Sequence, residues 1–268
     1  MSETSGYNSD KTRNSGIEGL PSVGGERSAD VSGLFERVLK TFSAPQDAFS
    51  GLANKWEWLI VALIVSVIGL GSWSIQSTYL MPNMLKDALK NIENFKDQMP
   101  EARYKEVRTQ IKDGIEGNMK FTPKTSAIGV GAGVVMVVLI GLIAWGSGNF
   151  ILGGKAPFWK ILMVIAMAGF VGLVGEYARA GLMVMKGSSY VYLGLGILRP
   201  ANDGSFIHYL LRQIELTTIW RLAVTCVGLG AVYKMSASKF AYVLTPIWLL
   251  FIAAVAGANL FTGGTIVY

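Results

Sequence analysis

The sequence predicts an all-α integral membrane protein with five transmembrane helices, and three observations carry that expectation. Of the 268 residues, 51% are hydrophobic and only 16% charged, where a soluble domain carries about 25% charge. The charges that do occur are crowded into the first 57 residues and into 86–124. What lies elsewhere is apolar over long distances. Residues 58–80 run for 23 positions without a charge, more than the roughly 20 a helix needs to cross the hydrocarbon core.

The elements follow in order. Residues 1–30 are rich in Ser, Gly, Asn and Asp with no apolar period. They cannot bury enough surface to offset their ordering entropy, which predicts a disordered polar tail. No apolar h-region of a cleavable signal occurs in the first 33 residues. Residues 31–57 are predicted to be interfacial amphipathic helices. Val31, Leu34, Phe35, Val38, Leu39 and Phe42 fall on one helical stripe, with Arg37 and Lys40 off it. Ser43-Ala44-Pro45-Gln46-Asp47 has the form of a second helix start, with Ser43 at the cap. Trp56 and Trp58 then mark entry into the membrane.

The membrane domain is read at 58–268. Its spans are placed at 58–80 (stopped by Pro82), 128–152, 158–178, 214–233 and 240–261. Tyr190 to Leu198 is apolar but too short to span as a helix, which predicts a re-entrant or interfacial piece. Whether 180–198 extends span three or turns back stays open. The insert 82–125 is a helical, water-exposed pair, with nine basic and seven acidic residues over 86–124. Leu85, Leu89, Ile92 and Phe95 form its apolar seam, and Pro100-Glu101 starts its second helix. It is either a solvated cap packing on itself or a docking surface for a partner protein. With the N-terminus cytoplasmic, Lys155, Lys160, Lys234 and Lys239 lie inside, and the two short inside loops 153–157 and 234–239 are basic and hold no acid. The net charge of +6 then faces anionic headgroups, and no nucleic-acid partner is expected.

Little in the chain resembles a catalytic constellation. One cysteine, Cys226, and one histidine, His208, allow no disulfide, no zinc-ligand spacing and no Cys–His dyad. Ser147 in Trp145-Gly146-Ser147-Gly148 lacks the glycine two positions earlier that a membrane serine protease motif needs. Gly153-Gly154-Lys155 lacks the spacing of a phosphate-binding loop. The expectation is no catalytic residue, no metal and no cofactor. The informative polar residues are charges inside spans: Glu176 and Arg179 in the third, Glu215 and Arg221 in the fourth. Such a charge costs about 2.5–3.5 kcal/mol at mid-bilayer, so it is paired or lines a cavity. Antiparallel packing of the two spans would set Glu176 near Arg221 and Arg179 near Glu215. These four are either salt bridges fixing the bundle or a polar site for a lipid headgroup, an ion or a partner's span.

From Ser205 to Val255 the order of motifs resembles the last two spans of the Yip domain family, the Ypt/Rab-interacting-protein fold, in its bacterial branch. The residues that carry the resemblance are Glu215, Trp220, Val227-Gly228-Leu229, Ser238-Lys239 and Trp248. Pro45, Phe49 and Trp56 match the family's amphipathic lead into span one, and Phe158-Trp159-Lys160 its start of span three. The resemblance covers 34–260. It implies five spans, a cytoplasmic N-terminus and, for a bacterial member, the inner membrane. Eukaryotic members bind small GTPases, but their Asp-Leu-Tyr-Gly-Pro signature is not visible here, and that role is not carried over. Bacterial members are often associated with ABC-type exporters. The sequence thus points to a non-enzymatic accessory or scaffold protein in the lipid bilayer, with a protein partner in the membrane (ABC exporter subunits among the candidates) and room for a homo-oligomer. The alternative is a small transporter or lipid-handling protein using Glu176 and Arg221.

Overall fold

A computed structural model describes residues 31–52, 54–93, 96–119, 121–187, 191–200 and 204–262. The tail expected at 1–30 lies outside the described residues, as do Phe95 of the insert seam and Tyr190. Helix α1 (Val31–Ser43) and the single turn α2 (Pro45–Ala48) open the described chain. Ser43 does not cap α2. Its hydroxyl donates back to the Leu39 carbonyl at 3.2 Å, a bond that closes α1, and Ala44 takes the cap position without a side-chain bond. The second helix is also shorter than its apolar pattern implies. Phe49 leaves the helical path after Ala48, and Ala48, Phe49 and Leu52 turn inward and are buried.

Helix α3 (Glu57–Glu93) is 37 residues long, about 55 Å at 1.5 Å per residue. It passes through Pro82 instead of stopping there. Proline removes one backbone N–H and crowds one carbonyl, yet membrane helices tolerate it where neighbouring groups compensate. The hydroxyls of Ser77 and Thr78 both donate to the Ser74 carbonyl one turn earlier, away from the Thr78 carbonyl that the proline leaves open. The membrane-length part of α3 is Glu57–Pro82, and the rest projects beyond it. After a tight turn at Lys96–Gln98, α4 (Glu101–Met119) folds back on that projection. Tyr104 is its buried contact, with the Lys96 ammonium 6.0 Å from the ring.

Helix α5 (Pro123–Gly146) starts at a reciprocal cap, with Thr122 accepting from the Thr125 amide and Thr125 accepting from Thr122. That cap places the helix start five residues before the expected 128. The helix ends in one wide turn, Ser147–Ile151, with five-residue hydrogen bonding. Helix α6 (Phe158–Lys186) runs past 178 and closes at Gly187, whose φ of +60° suits glycine. Residues 180–186 therefore extend this helix. A tight turn at Leu195–Leu198 and α7 (Phe206–Arg212) follow, then α8 (Leu216–Tyr233) and α9 (Ala237–Thr262). Among the described residues the only extended pairing is a bridge between Gly194 and Glu215.

Five helices are long and apolar enough to cross a membrane: the first 26 residues of α3, then α5, α6, α8 and α9. Helix α6 is their axis, with 61% of its apolar window buried against 39% or less for the others. Its Ile161, Met163, Val164, Met167 and Val171 are all but inaccessible. Parallel α3 packs along α6, Val65 against Gly169 and Gly69 against Leu173. Antiparallel α8 packs on α6, Val164 meeting Gly228 and Arg221 meeting Gly172. Small residues at these crossings let backbones approach where lipid supplies no hydrophobic drive. Helix α5 covers α3 and α6, and α9 covers α8 and α7.

Candidate functional site

The polar side chains inside the bundle collect where α6 ends and α8 begins, and α3 brings a third wall. Helix α6 carries Glu176 and Arg179 three residues apart, hence on one face. Arg179 Nη2 donates to Glu215 Oε1 at 2.5 Å, with the two side chains 16% and 5% exposed. Glu215 is also the cap of α8. Its side chain accepts from the Thr218 amide while its own amide donates to Thr218 Oγ1 at 3.1 Å. One carboxylate thus ties off a helix start and neutralises a cation on the neighbouring span. Charge-assisted bonds of this kind are short and about twice as strong as neutral ones.

Glu176 and Arg221 are neighbours but not partners. Glu176 feels the charges of Arg221 and Arg179, yet no ion pair within 4.0 Å joins it to either. Its carboxylate turns toward α3, where a Cβ on Gly69 would stand 3.8 Å from Oε2. Arg221 lies across the bare backbone of Gly172, where a Cβ would come within 3.3 Å of Nη1 and 3.5 Å of Cδ. The wall facing Glu176 holds two buried polar residues, Ser72 and Gln76. Gln76 Nε2 donates to Ser72 Oγ at 2.8 Å and to the Glu176 carbonyl at 3.5 Å. Sequence reasoning passed over this pair. The available signal was two uncharged polar residues at i, i+4 in an otherwise apolar span.

Outside the span ends, the chain between α6 and α8 adds a second polar group. His208 is buried between Tyr192 and Tyr209, with ring centroids at 5.4 and 5.7 Å. The Tyr192 hydroxyl and His208 Nε2 are 3.4 Å apart. The Arg212 guanidinium lies 6.0 Å from the Tyr209 ring. Burial lowers its pKa from the ordinary value; the charge of Arg179 acts the same way, and Glu215 opposes it. His208 stands out in the sequence only as the single histidine, and nothing in the spacing of Tyr192, Tyr209 and Arg212 announces that the loop folds back onto Glu215.

The motif positions separate into contacts and surface. Pro45 opens α2, and Phe49 lies against Gly228, whose Cβ would stand 2.7 Å from both the Phe49 ring and Val164. Trp220 meets Phe42 edge to face at 5.5 Å. The Lys160 ammonium lies 5.4 Å from the Trp159 ring. Trp56 and Lys239 are exposed, and Trp248 is partly buried in α9. Among the described residues, no three His, Cys, Asp or Glu side chains are grouped so as to hold a metal ion.

Five membrane-length helices around a buried axis, joined by an intramembrane ion pair, define a polytopic helical membrane protein. The motif contacts on α2, α6 and α8 run through the segment where a family comparison succeeds. The family model described as the Yip1 domain matches residues 39–258, most of the chain, and the protein belongs to that family. No curated protein and no solved structure gives a match.

Proposed function

We propose that this protein is a non-enzymatic membrane accessory or scaffold protein that docks a partner complex through its extramembrane arm. The observation that carries this reading is the arm itself, the end of α3 and the 19-residue α4. Helix α4 packs chiefly on α3 and fully buries one large apolar residue, Tyr104, while Val107, Ile111 and Ile115 stay partly open along one side. A helix pair with so small a core gains most of its stability from what it packs against. The partner is a membrane protein. Subunits of an ABC-type exporter are the first candidates, from the family resemblance and not from the arm's geometry. A second copy of this chain is a lesser one. The reading places the chain in a bacterial inner membrane with its N-terminus cytoplasmic, which suits the basic loops at Lys155 and Lys234. Affinity purification of the full chain in mild detergent tests it. One stoichiometric partner is expected, lost in the arm variant Arg108→Glu/Lys112→Glu. Recovery of no stoichiometric partner would sink the proposal.

One observation favours a second reading, a small transporter or lipid-handling protein. Glu176 is an intramembrane carboxylate without an ion pair inside 4.0 Å, facing the charge of Arg221. Membrane carboxylates in such positions mark substrate or ion pathways. The double swap Glu176→Arg/Arg221→Glu separates the two roles. A structural pair recovers fold and activity together. A transport site recovers fold and leaves flux in liposomes dead.

A further inference from the structure

We propose that Glu176 and Arg221 together hold the headgroup of a zwitterionic phospholipid with a primary ammonium, phosphatidylethanolamine, in the cleft between α3 and α8. The proposal rests on the lipid-handling reading above and names its ligand. It starts from two opposite charges whose ends make no hydrogen bond among the described residues. Each residue enters a side-chain hydrogen bond only through its backbone carbonyl, Glu176 accepting from Gln76 Nε2 and Arg221 from Thr225 Oγ1. Glu176 feels the charge of Arg221, but no ion pair within 4.0 Å joins them, and both are partly open. A guanidinium and a carboxylate left unbonded among apolar spans are costly. A ligand bringing one acceptor and one donor gains what the fold leaves open.

Depth and order decide which ligand. Span four has 18 residues from Leu216, about 27 Å, close to the hydrocarbon thickness, so its first residue stands at headgroup level. Gly175 packs on Thr217, the next residue, and Gly172 on Arg221. Glu176 is therefore level with the start of the span, and Arg221 joins α8 about 6 Å below it. Side chains on α8 tilt toward its N-terminus, which carries the guanidinium up toward the headgroups. An ethanolamine phospholipid has the same order, with its ammonium outermost, its phosphate beneath and its acyl chains below both. Phosphatidylglycerol answers Arg221 and leaves Glu176 without a donor. The quaternary ammonium of a choline lipid has no N–H to give that carboxylate. On the α3 wall, Gly69 leaves room beside Glu176 Oε2, and Ser72 and Gln76 are already bonded to each other. Ile68 and Ile75, each one residue before a member of that wall, are exposed and give the acyl chains an apolar path. A soluble zwitterion meets the two charges and makes no use of that path.

The test is native mass spectrometry of the full-length protein in detergent with four probes. These are dioleoyl phosphatidylethanolamine, phosphatidylglycerol and phosphatidylcholine, and free phosphoethanolamine. The wild type is expected to hold one phosphatidylethanolamine about tenfold more tightly than any other probe, the worth of one charge-assisted hydrogen bond. Retention of no phospholipid overturns the lipid-handling reading and the proposal with it. Phosphatidylglycerol or phosphatidylcholine held as tightly as phosphatidylethanolamine leaves that reading standing and overturns the ethanolamine site. Phosphoethanolamine bound as tightly as the lipid overturns it as well. Arg221→Gln is expected to weaken phosphatidylethanolamine and phosphatidylglycerol alike, about tenfold. Glu176→Gln, which breaks no close pair, is expected to erase the preference between those two lipids and leave the melting curve in place. An undiminished preference for phosphatidylethanolamine in Glu176→Gln overturns the proposal whatever Arg221→Gln does to the fold.

Discussion

Arg179 and Glu215 are the clearest case of two side chains whose chemistry is decided by their surroundings. Both are buried in the protein where the third span ends and the fourth begins, and Glu215 serves as ion-pair partner and helix cap together. Removing one member strands the other. Breaking a buried pair in this way costs about 3–5 kcal/mol, so Glu215→Gln is expected to lower the melting temperature in detergent by several degrees. The exchange Arg179→Glu/Glu215→Arg is expected to recover part of that loss. Glu176→Gln breaks no close pair and is expected to melt near the wild type. Gly172 offers a sharper test of how Arg221 is seated. A valine there meets Nη1 and Cδ of Arg221, so Gly172→Val destabilises. Shortening the arginine relieves the clash, and the double variant Gly172→Val/Arg221→Ala is expected to be more stable than the sum of its singles, read from a thermal double-mutant cycle. Four of these residues were legible in the sequence because charge in an apolar run is conspicuous. Which acid takes which base was legible only in part. Helical spacing fixes depth to about one turn, 5.4 Å, and an ion pair is decided within a fraction of that. Ser72 and Gln76 escaped because uncharged polar residues are common in spans.

At the scale of elements, the N-terminal segment is tied to the bundle at both ends. Phe42 meets Trp220 and Phe49 meets Gly228, points eight residues apart on α8, or about 12 Å along its axis. Arg37 returns to the start of α3, both of its contacts with the Glu57 carboxylate at 2.9 Å. The strap thus crosses from the first span to the fourth over α6. Phe49→Ala and Gly228→Val attack the same contact from its two sides, one by leaving a cavity and one by refusing the ring. Both are expected to lower the melting temperature, and protease cleavage near residue 50 in intact vesicles is expected to rise in each. The amphipathic stripe announced that these residues bury one face, but not against what: lipid and protein present the same apolar surface to a pattern. Pro82 shows another limit of pattern reading. Proline breaks helices in water, yet α3 continues through Pro82 to Glu93. Pro82→Ala is accordingly expected to leave helical content unchanged by circular dichroism.

For the whole molecule, the spans were readable because apolar length is a demand of the bilayer itself and needs no tertiary information. The structure adds their order around α6 and the asymmetry of the two ends. One end carries the strap, the wide turn after α5 and the basic loops at Lys155, Lys234 and Lys239; the other carries the α3–α4 arm and the folded chain between α6 and α8. That division follows only if five helices cross the membrane, which makes topology the central claim. Single cysteines at Asp47, Gln110, Lys155, Gly204 and Ser236, in a Cys226→Ser background, test it by labelling intact cells with a membrane-impermeant maleimide. Gln110→Cys and Gly204→Cys are predicted to label from outside, while Asp47→Cys, Lys155→Cys and Ser236→Cys label only after the membrane is opened. Any pattern in which Gln110 and Lys155, or Gly204 and Ser236, react from the same side would contradict the five-span account.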